Sequence, residues 1–247
     1  MDGYDETTYG QRWSPYYDEL YSDVDDAVVD LLARHAGQPP RALELAIGTG
    51  RIALPLRGRG VDVSGIDASE EMVAKLREKH GGESIPVTIG DFADVDVDGS
   101  FPLIYLAFNT IFGLLTQDRQ VECFQNVANH LEPGGRFVID CFVPDVKRFD
   151  HYNTRMGISS IDSVDEHTYE MTVHDPVTQR LHTHVVKRLA DGESVVLPVE
   201  TRYAWPSELD LMARLAGMSL EDRFGWYDLR QFNERSSSHM SIYIKPD

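Results

Sequence analysis

Between Tyr16 and Ala36 the apolar residues Leu20, Val24, Val28, Leu31 and Leu32 recur at helical spacing on an acidic background. That pattern predicts one amphipathic helix, ended by Gly37-Gln-Pro-Pro40. Short apolar runs then alternate with helical stretches. The runs 42–46, 61–66, 85–89, 102–107 and 136–142 read as strands, and 51–59, 69–80 and 117–131 as helices. Ser69, followed by Glu70, Glu71 and Met72, supplies a cap and first-turn acids. The alternation predicts an α/β fold, a parallel sheet with helices on both faces.

After Pro144 the period changes to two. Residues 166–173, 180–188 and 195–203 read as three antiparallel strands, with Asp175-Pro176 and Asp191-Gly192 at the turns. A helix over 206–216 follows, then strands over 219–226 and 239–245 around the polar loop 228–238. The expected organisation is a core built from 1–144 and 205–247. Residues 145–204 form an antiparallel sheet inserted after the fifth strand.

The junction of the first strand and the next helix carries the most chemistry. Apolar Ala42 to Ala46 runs into the small-residue turn Ile47-Gly-Thr-Gly50, which lets backbone N–H groups approach a ligand closely. The following strand ends on Asp67, placed for the two hydroxyls of a nucleotide ribose. Together these predict an adenosine-containing cofactor. Gly48, Gly50, Ala53 and Asp67 also satisfy a dinucleotide fingerprint, so the turn alone leaves an NAD-type oxidoreductase open.

Composition narrows the partners. The 23 basic and 41 acidic residues give a net charge of −18, a field that would repel nucleic-acid phosphates. A neutral or cationic small substrate fits better. No run approaches the ~18 apolar residues of a membrane span, and the acidic start Met1-Asp-Gly-Tyr-Asp-Glu6 resembles no signal or transit peptide. Cys123 and Cys141 have neither metal nor redox spacing, which suits buried thiols in a reducing cytoplasm.

The segment Glu44-x-Ala46-x-Gly48-x-Gly50 resembles motif I of the class I S-adenosylmethionine-dependent methyltransferases. Ile89-Gly90-Asp91-Phe92 resembles the adenine-binding segment of that family, and Leu131-Glu-Pro-Gly-Gly-Arg136 its turn into the fifth strand. A carboxylate at Glu44 suits the ammonium of methionine and would sit badly beside a pyrophosphate. The resemblance covers residues 40–142 and implies a Rossmann-like sheet and S-adenosylmethionine as cofactor. Carried over, Glu44, Ala46, Gly48 and Gly50 line the methionine end, Asp67 holds the ribose, and Asp91 with Phe92 holds adenine. Ala68 and Met72 beside Asp67 complete the cofactor set. Leu106 to Asn109 pass under the sulfonium, with Phe108 and Asn109 nearest the methyl group. Ala46 stands where the family usually has glycine, which is tolerable if that residue keeps a negative φ. In many members an N-terminal tyrosine closes over the cofactor, and Tyr17 in Trp13-Ser-Pro-Tyr-Tyr-Asp18 is the candidate.

Methyl transfer is an in-line displacement at an activated carbon, so the enzyme must align a lone pair and exclude water. An amine needs only to arrive deprotonated, whereas an alcohol usually needs a base or a metal. His182-x-His184 and His174 fall on neighbouring strands without a convincing metal set, so no metal is expected. The inserted sheet is similar to one in dTDP-amino-sugar N,N-dimethyltransferases, a likeness that also implies a homodimer through this sheet. Asn109-Thr-Ile-Phe-Gly-Leu-Leu115 and Trp205-Pro-Ser-Glu-Leu-Asp210 are similar to linaridin peptide α-N-methyltransferases. Both likenesses imply N-methylation of a natural-product amine, with Tyr152, His174, His184, Tyr203 and Trp226 as acceptor-side candidates. Of the residues named, Asn109, Tyr17, His174 and Tyr203 are those expected to serve the transfer itself. The rival readings are O-methylation of a hydroxylated metabolite, the oxidoreductase, and a non-catalytic cofactor-binding scaffold.

Overall fold

A computed structural model describes residues 4–21, 23–149, 160–164, 167–189 and 191–247. Seven strands form the main sheet: β1 (Arg41–Leu45), β2 (Asp62–Asp67), β3 (Val87–Ile89), β4 (Phe101–Leu106), β5 (Leu131–Phe142), β10 (Ser219–Phe224) and β11 (Ser238–Ile244). Their order is β10-β11-β5-β4-β1-β2-β3. β1 to β5 run parallel, and β11 lies antiparallel between β5 and β10. The chain moves outward from β1 on one side, through β2 and β3, and then starts β4 on the other. A ligand crevice therefore opens at the carboxyl ends of β1 and β4.

The longer helices α3, α5 and α6 each start at a side-chain cap. Asp25 accepts from Ala27 N at 2.9 Å ahead of α3 (Asp26–His35), and Ser69 from Met72 N at 3.1 Å ahead of α5 (Glu70–Glu78). Thr116 accepts from Arg119 N at 3.2 Å ahead of α6 (Gln117–His130), and Pro206 opens α7 (Pro206–Leu215). Apolar side chains from α3, α4 (Ala53–Gly58) and α5 cover one face of the sheet, including Leu31, Leu32, Leu56 and Leu76. Phe124 of α6 and Leu209 of α7 cover the other. Each fully buried side chain of that size contributes ~1.5–3 kcal/mol.

A second, antiparallel sheet of four strands comprises β6 (Ser160–Ser163), β7 (Thr168–Asp175), β8 (Arg180–Arg188) and β9 (Ser194–Arg202). Three of these strands follow the period-two pattern, and the edge strand β6 is additional. The predicted helix over 16–36 is instead two helices, α2 (Tyr17–Leu20) and α3, because Asp25 caps a new start. They are preceded by α1 (Thr8–Trp13), which the apolar pattern did not signal. Residues 4–21 form a strap between the two sheets: Trp13 packs with Met72, Val185 and Leu197, and its Nε1 donates to Pro198 O at 3.2 Å. The turn at Pro133-Gly134 survives as a bulge within a strand that starts earlier than expected. Leu131 pairs with Phe101, and the next partners are Arg136 and Leu103.

Candidate active site

The turn after β1 bends through Ala46, Gly48 and Gly50, with φ of 54°, 57° and 76°. At that φ a side chain on Gly50 would be strained, and its Cβ would lie 2.3 Å from Leu76 Cδ1, so glycine is favoured there. A Cβ on Gly48 would meet nothing nearer than Ala46 O at 3.9 Å, which leaves an open cradle above the backbone. Ala46 contradicts the expectation of a negative φ. Its left-handed conformation costs ~1–2 kcal/mol and is imposed from both sides. Ile47 N donates to Ile66 O at 2.9 Å, and Gly48 N to Asp67 Oδ2 at 2.7 Å, so pairing with β2 fixes the turn's path.

Two buried carboxyl groups, Glu44 and Asp67, lie at this turn, and a third, Asp140, lies at the end of β5 on the far side of β4. Burial pushes the Glu44 carboxyl up to about 8, against the pull of a 2.8 Å hydrogen bond from Tyr105 OH and the charge of Arg51. Burial also raises Asp67, while the N–H groups of Ser69 (2.8 Å) and Gly48 pull it back. Asp140, on β5, is raised by burial and accepts from Phe108 N at 2.9 Å and Tyr227 OH at 2.7 Å.

Asp140 organises the end of β4. Phe108 and Asn109 adopt φ of 65° and 61°, a consecutive left-handed pair that ordinary side chains avoid. Asp140 O accepts from Asn109 N at 3.1 Å, and Asn109 Oδ1 accepts from Phe142 N at 2.6 Å. The Asn109 carboxamide oxygen is therefore occupied in shaping the loop. Phe108 remains exposed, with Tyr21 edge-on at 5.0 Å and the Arg51 guanidinium 4.6 Å from its ring centroid. Tyr17 hydrogen-bonds Arg51 and senses the charges of Glu44 and Asp67, which puts it over the turn; its burial raises the phenol. The strap is latched there: Asp18 accepts from Thr49 Oγ1 at 2.6 Å and Lys79 Nζ at 2.8 Å.

The remaining expected cofactor residues lie along β2 and β3. Ala68 follows Asp67 and is half-buried; Met72 is buried beneath the strap. Asp91 accepts from Ala93 N at 2.9 Å and pairs with Arg119 at 2.7 Å, so its carboxylate already has a cationic partner. Phe92 packs against the apolar layer beside α6. A cavity of about 300 Å³ runs along Gly90 and Asp91.

On the second sheet, His174 and Tyr203 are brought together, with Nε2 and OH 3.0 Å apart and the imidazole against Phe149. β9 packs on the turn Thr110–Gly113, and Tyr203 shares an apolar cluster with Ile111 and Phe112. This pair therefore lies beside the loop that follows β4. His184 pairs in register with Met171 and Pro198, whereas His174 pairs with Leu181, so the two histidines point to opposite faces. His182 hydrogen-bonds Glu200. Trp226 packs edge-on against Tyr227. Tyr152 lies outside the described residues. Among the described residues no group of three or more His, Cys, Asp or Glu side chains is arranged to hold a metal ion. Sequence reasoning missed Arg51, Tyr105, Asp140 and Tyr227; an arginine directly after the last glycine of the turn was the one local signal.

The residues fit S-adenosylmethionine. The space over Gly48 admits a ligand against the backbone, and both Asp67 oxygens keep lone pairs for ribose hydroxyls. The buried Glu44 carboxyl suits an ammonium. When bound, the cofactor supplies a methyl group activated by a positive sulfur. The chain's own residues hold the turn in shape, cover it with Tyr17, and leave the Phe108 ring exposed at the end of β4 with Tyr21 edge-on to it.

The comparisons agree with this fit. A family profile described as "Methyltransferase domain" matches residues 42–135. The chain is 25% identical to the cypemycin N-terminal methyltransferase of Streptomyces sp over 239 residues, covering 92% of this chain and 96% of that protein. It shares 35% identity with the CcbJ methyltransferase from Streptomyces caelestis, with a TM-score of 0.87 over 99% of this chain and 100% of that one. CalS10, an amino pentose methyltransferase from Micromonospora echinaspora whose structure holds S-adenosylmethionine, has the same fold. Its TM-score is 0.68 at 20% identity over 98% of this chain and 100% of that one. The dinucleotide reading that Gly48, Gly50 and Asp67 permitted gives way, and the chain belongs to the Rossmann-like, S-adenosylmethionine-dependent methyltransferases.

Proposed function

We propose that this enzyme N-methylates a small natural-product amine, an amino sugar or a peptide N-terminus. The observation that carries the reading is the polar but nearly uncharged inner face of the second sheet. By register, Thr172, His174, Leu181, Thr183, Val199 and Thr201 share that face and Tyr203 closes its end; within β7 to β9 the charged residues of this face are Glu170 and Lys187, and Lys187 is neutralised by Glu19 at 2.9 Å. The hydrogen-bonded His174–Tyr203 pair can take a proton from an arriving ammonium without holding that ammonium in its unreactive form, as an adjacent carboxylate would. Cypemycin N-terminal methyltransferase and the amino pentose enzyme, both amine-directed by name, support the same class. We place the enzyme in the cytoplasm, with Cys123 and Cys141 as buried free thiols. The net charge of −18 argues against a nucleic-acid substrate. No helix among the described residues is long and apolar enough to cross a membrane. A second copy would dock on the outer face of the second sheet, where Tyr169, Val186 and Val196 form an apolar cross-strand row.

Incubation with S-adenosylmethionine and a panel of amino sugars, free-amine peptides and phenols tests the reading. Products heavier by one CH₂ are expected from the amines. Turnover of the phenols alone would replace N- by O-methylation.

A further inference from the structure

Asp140 is a buried acid with only one of its two oxygens committed. Both hydrogen bonds to its side chain, from Phe108 N at 2.9 Å and Tyr227 OH at 2.7 Å, arrive at Oδ1. Oδ2 takes no hydrogen bond from the described residues, yet it is not enclosed, so it reaches open space. Asp67 differs, because each of its oxygens receives a backbone N–H at the cofactor turn. The Asp140 carboxyl is also fixed in direction. Tyr227 is 2% exposed, and Phe108 N belongs to the left-handed pair that ends β4.

The location of Oδ2 fits an acceptor better than the cofactor. Asp140 stands at the end of β5, across β4 from the turn after β1. Beyond it, Val143 N donates to Ser237 O at 2.8 Å, and the chain goes on to the second sheet. The pair that Asp140 holds, Phe108 and Asn109, runs directly into Thr110–Gly113, the turn on which β9 packs. Asp140 is therefore the acid at the junction of the two sheets. Burial raises its carboxyl, while the Phe108 N–H, the Tyr227 hydroxyl, the charge of Arg51 and the Asn109 N–H draw it back. Those neighbours temper its pull on a proton, so it differs from a bare carboxylate beside an amine.

We propose that Asp140 Oδ2 is the orienting contact of the acceptor: it accepts one N–H of the amine and turns the nitrogen lone pair toward the methyl group. The proposal rests on the acceptor being an amine. As the lone pair forms the new N–C bond, the C–S electron pair passes to sulfur and the positive charge moves from sulfur to nitrogen. The N–H on Oδ2 stays on nitrogen, and the carboxylate favours the charge that develops there.

Asp140→Asn keeps an oxygen for Phe108 N and Tyr227 OH and puts an NH₂ donor in the place of Oδ2. With an amino sugar or free-amine peptide that the wild type methylates, kcat/KM for the amine should fall about 10- to 100-fold, the scale of a lost charge-assisted bond. Calorimetric affinity for S-adenosylhomocysteine should stay within about threefold, which also shows that the variant is folded. Tyr227→Phe removes one bond from Oδ1 and leaves Oδ2, so it should cost only about two- to fivefold. Unchanged kcat/KM in Asp140→Asn would overturn the contact, and an equal loss in Tyr227→Phe would make loop shape the cause. A parallel loss of S-adenosylhomocysteine affinity would move Asp140 to the cofactor. Faster methylation by Asp140→Asn would mean that the carboxylate holds the acceptor as its unreactive ammonium. A wild type that methylates phenols alone would reject the amine and the contact together, before any variant is compared.

Discussion

Glu44 shows how one residue couples folding, protonation and ligand binding. Its carboxyl is buried against Tyr105 and shifts from the usual 4.5 up to about 8. Between those values the native state keeps a proton that the unfolded chain releases, so rising pH through this window costs stability, and outside it the effect is flat. An ammonium placed beside Glu44 favours the carboxylate. Binding should therefore expel a proton, and affinity should rise with pH until about 8. Titration of S-adenosylhomocysteine in buffers of different ionisation enthalpy, in the middle of this window, should give buffer-dependent heats that vanish in Glu44→Gln. Buffer-independent heats in the wild type would sink the assignment. Ala46, Phe108 and Asn109 belong to the same scale. Three non-glycine residues in left-handed conformations surround the crevice: Phe108 and Asn109 donate their N–H groups to Asp140 of β5, and Ala46 is followed by Ile47 and Gly48, which donate to β2.

At the scale of elements, the strap of α1 and α2 is the piece that unites cofactor turn and second sheet. Asp18 ties it to Thr49 and Lys79, and Glu19 to Lys187 at 2.9 Å. Gly10 lies so close to α5 that a Cβ would sit 2.2 Å from Ser69 Cβ. The Asp18 and Lys79 side chains are 41% and 31% exposed, so their ion pair contributes little to global stability, about 0–1 kcal/mol. Its effect is local opening. Asp18→Ala should leave the melting temperature nearly unchanged yet speed proteolytic cleavage within residues 4–21. Unchanged cleavage would show that apolar packing by Trp13 and Tyr9 holds the strap without the latch.

For the whole molecule the dominant global feature is charge. A balance of −18 spread over 247 residues repels itself, and salt screens that repulsion. Raising ionic strength from about 0.01 M to about 0.1 M shortens the screening length from about 30 Å to about 10 Å. The melting temperature should rise by a few degrees over that range in a non-binding salt. A fall would mean that specific pairs such as Arg223–Asp210, at 2.5 Å, outweigh the net field.

The sequence by itself determined what depends on neighbours along the chain. The strand-turn-helix at Ala42 to Gly50, the cap at Ser69 and the acid at Asp67 are local patterns, so the fold class and cofactor were legible. Tertiary structure decided what depends on register between distant strands. Asp140 meets Phe108 only because β5 lies beside β4, and Tyr105 meets Glu44 only because β4 lies beside β1. Ala46 was misjudged for the same reason: its φ is set by pairing with β2 and not by its own preference. Arg51 remained hidden because an arginine at the start of a helix reads as solvent-facing until the Phe108 ring is found beneath it.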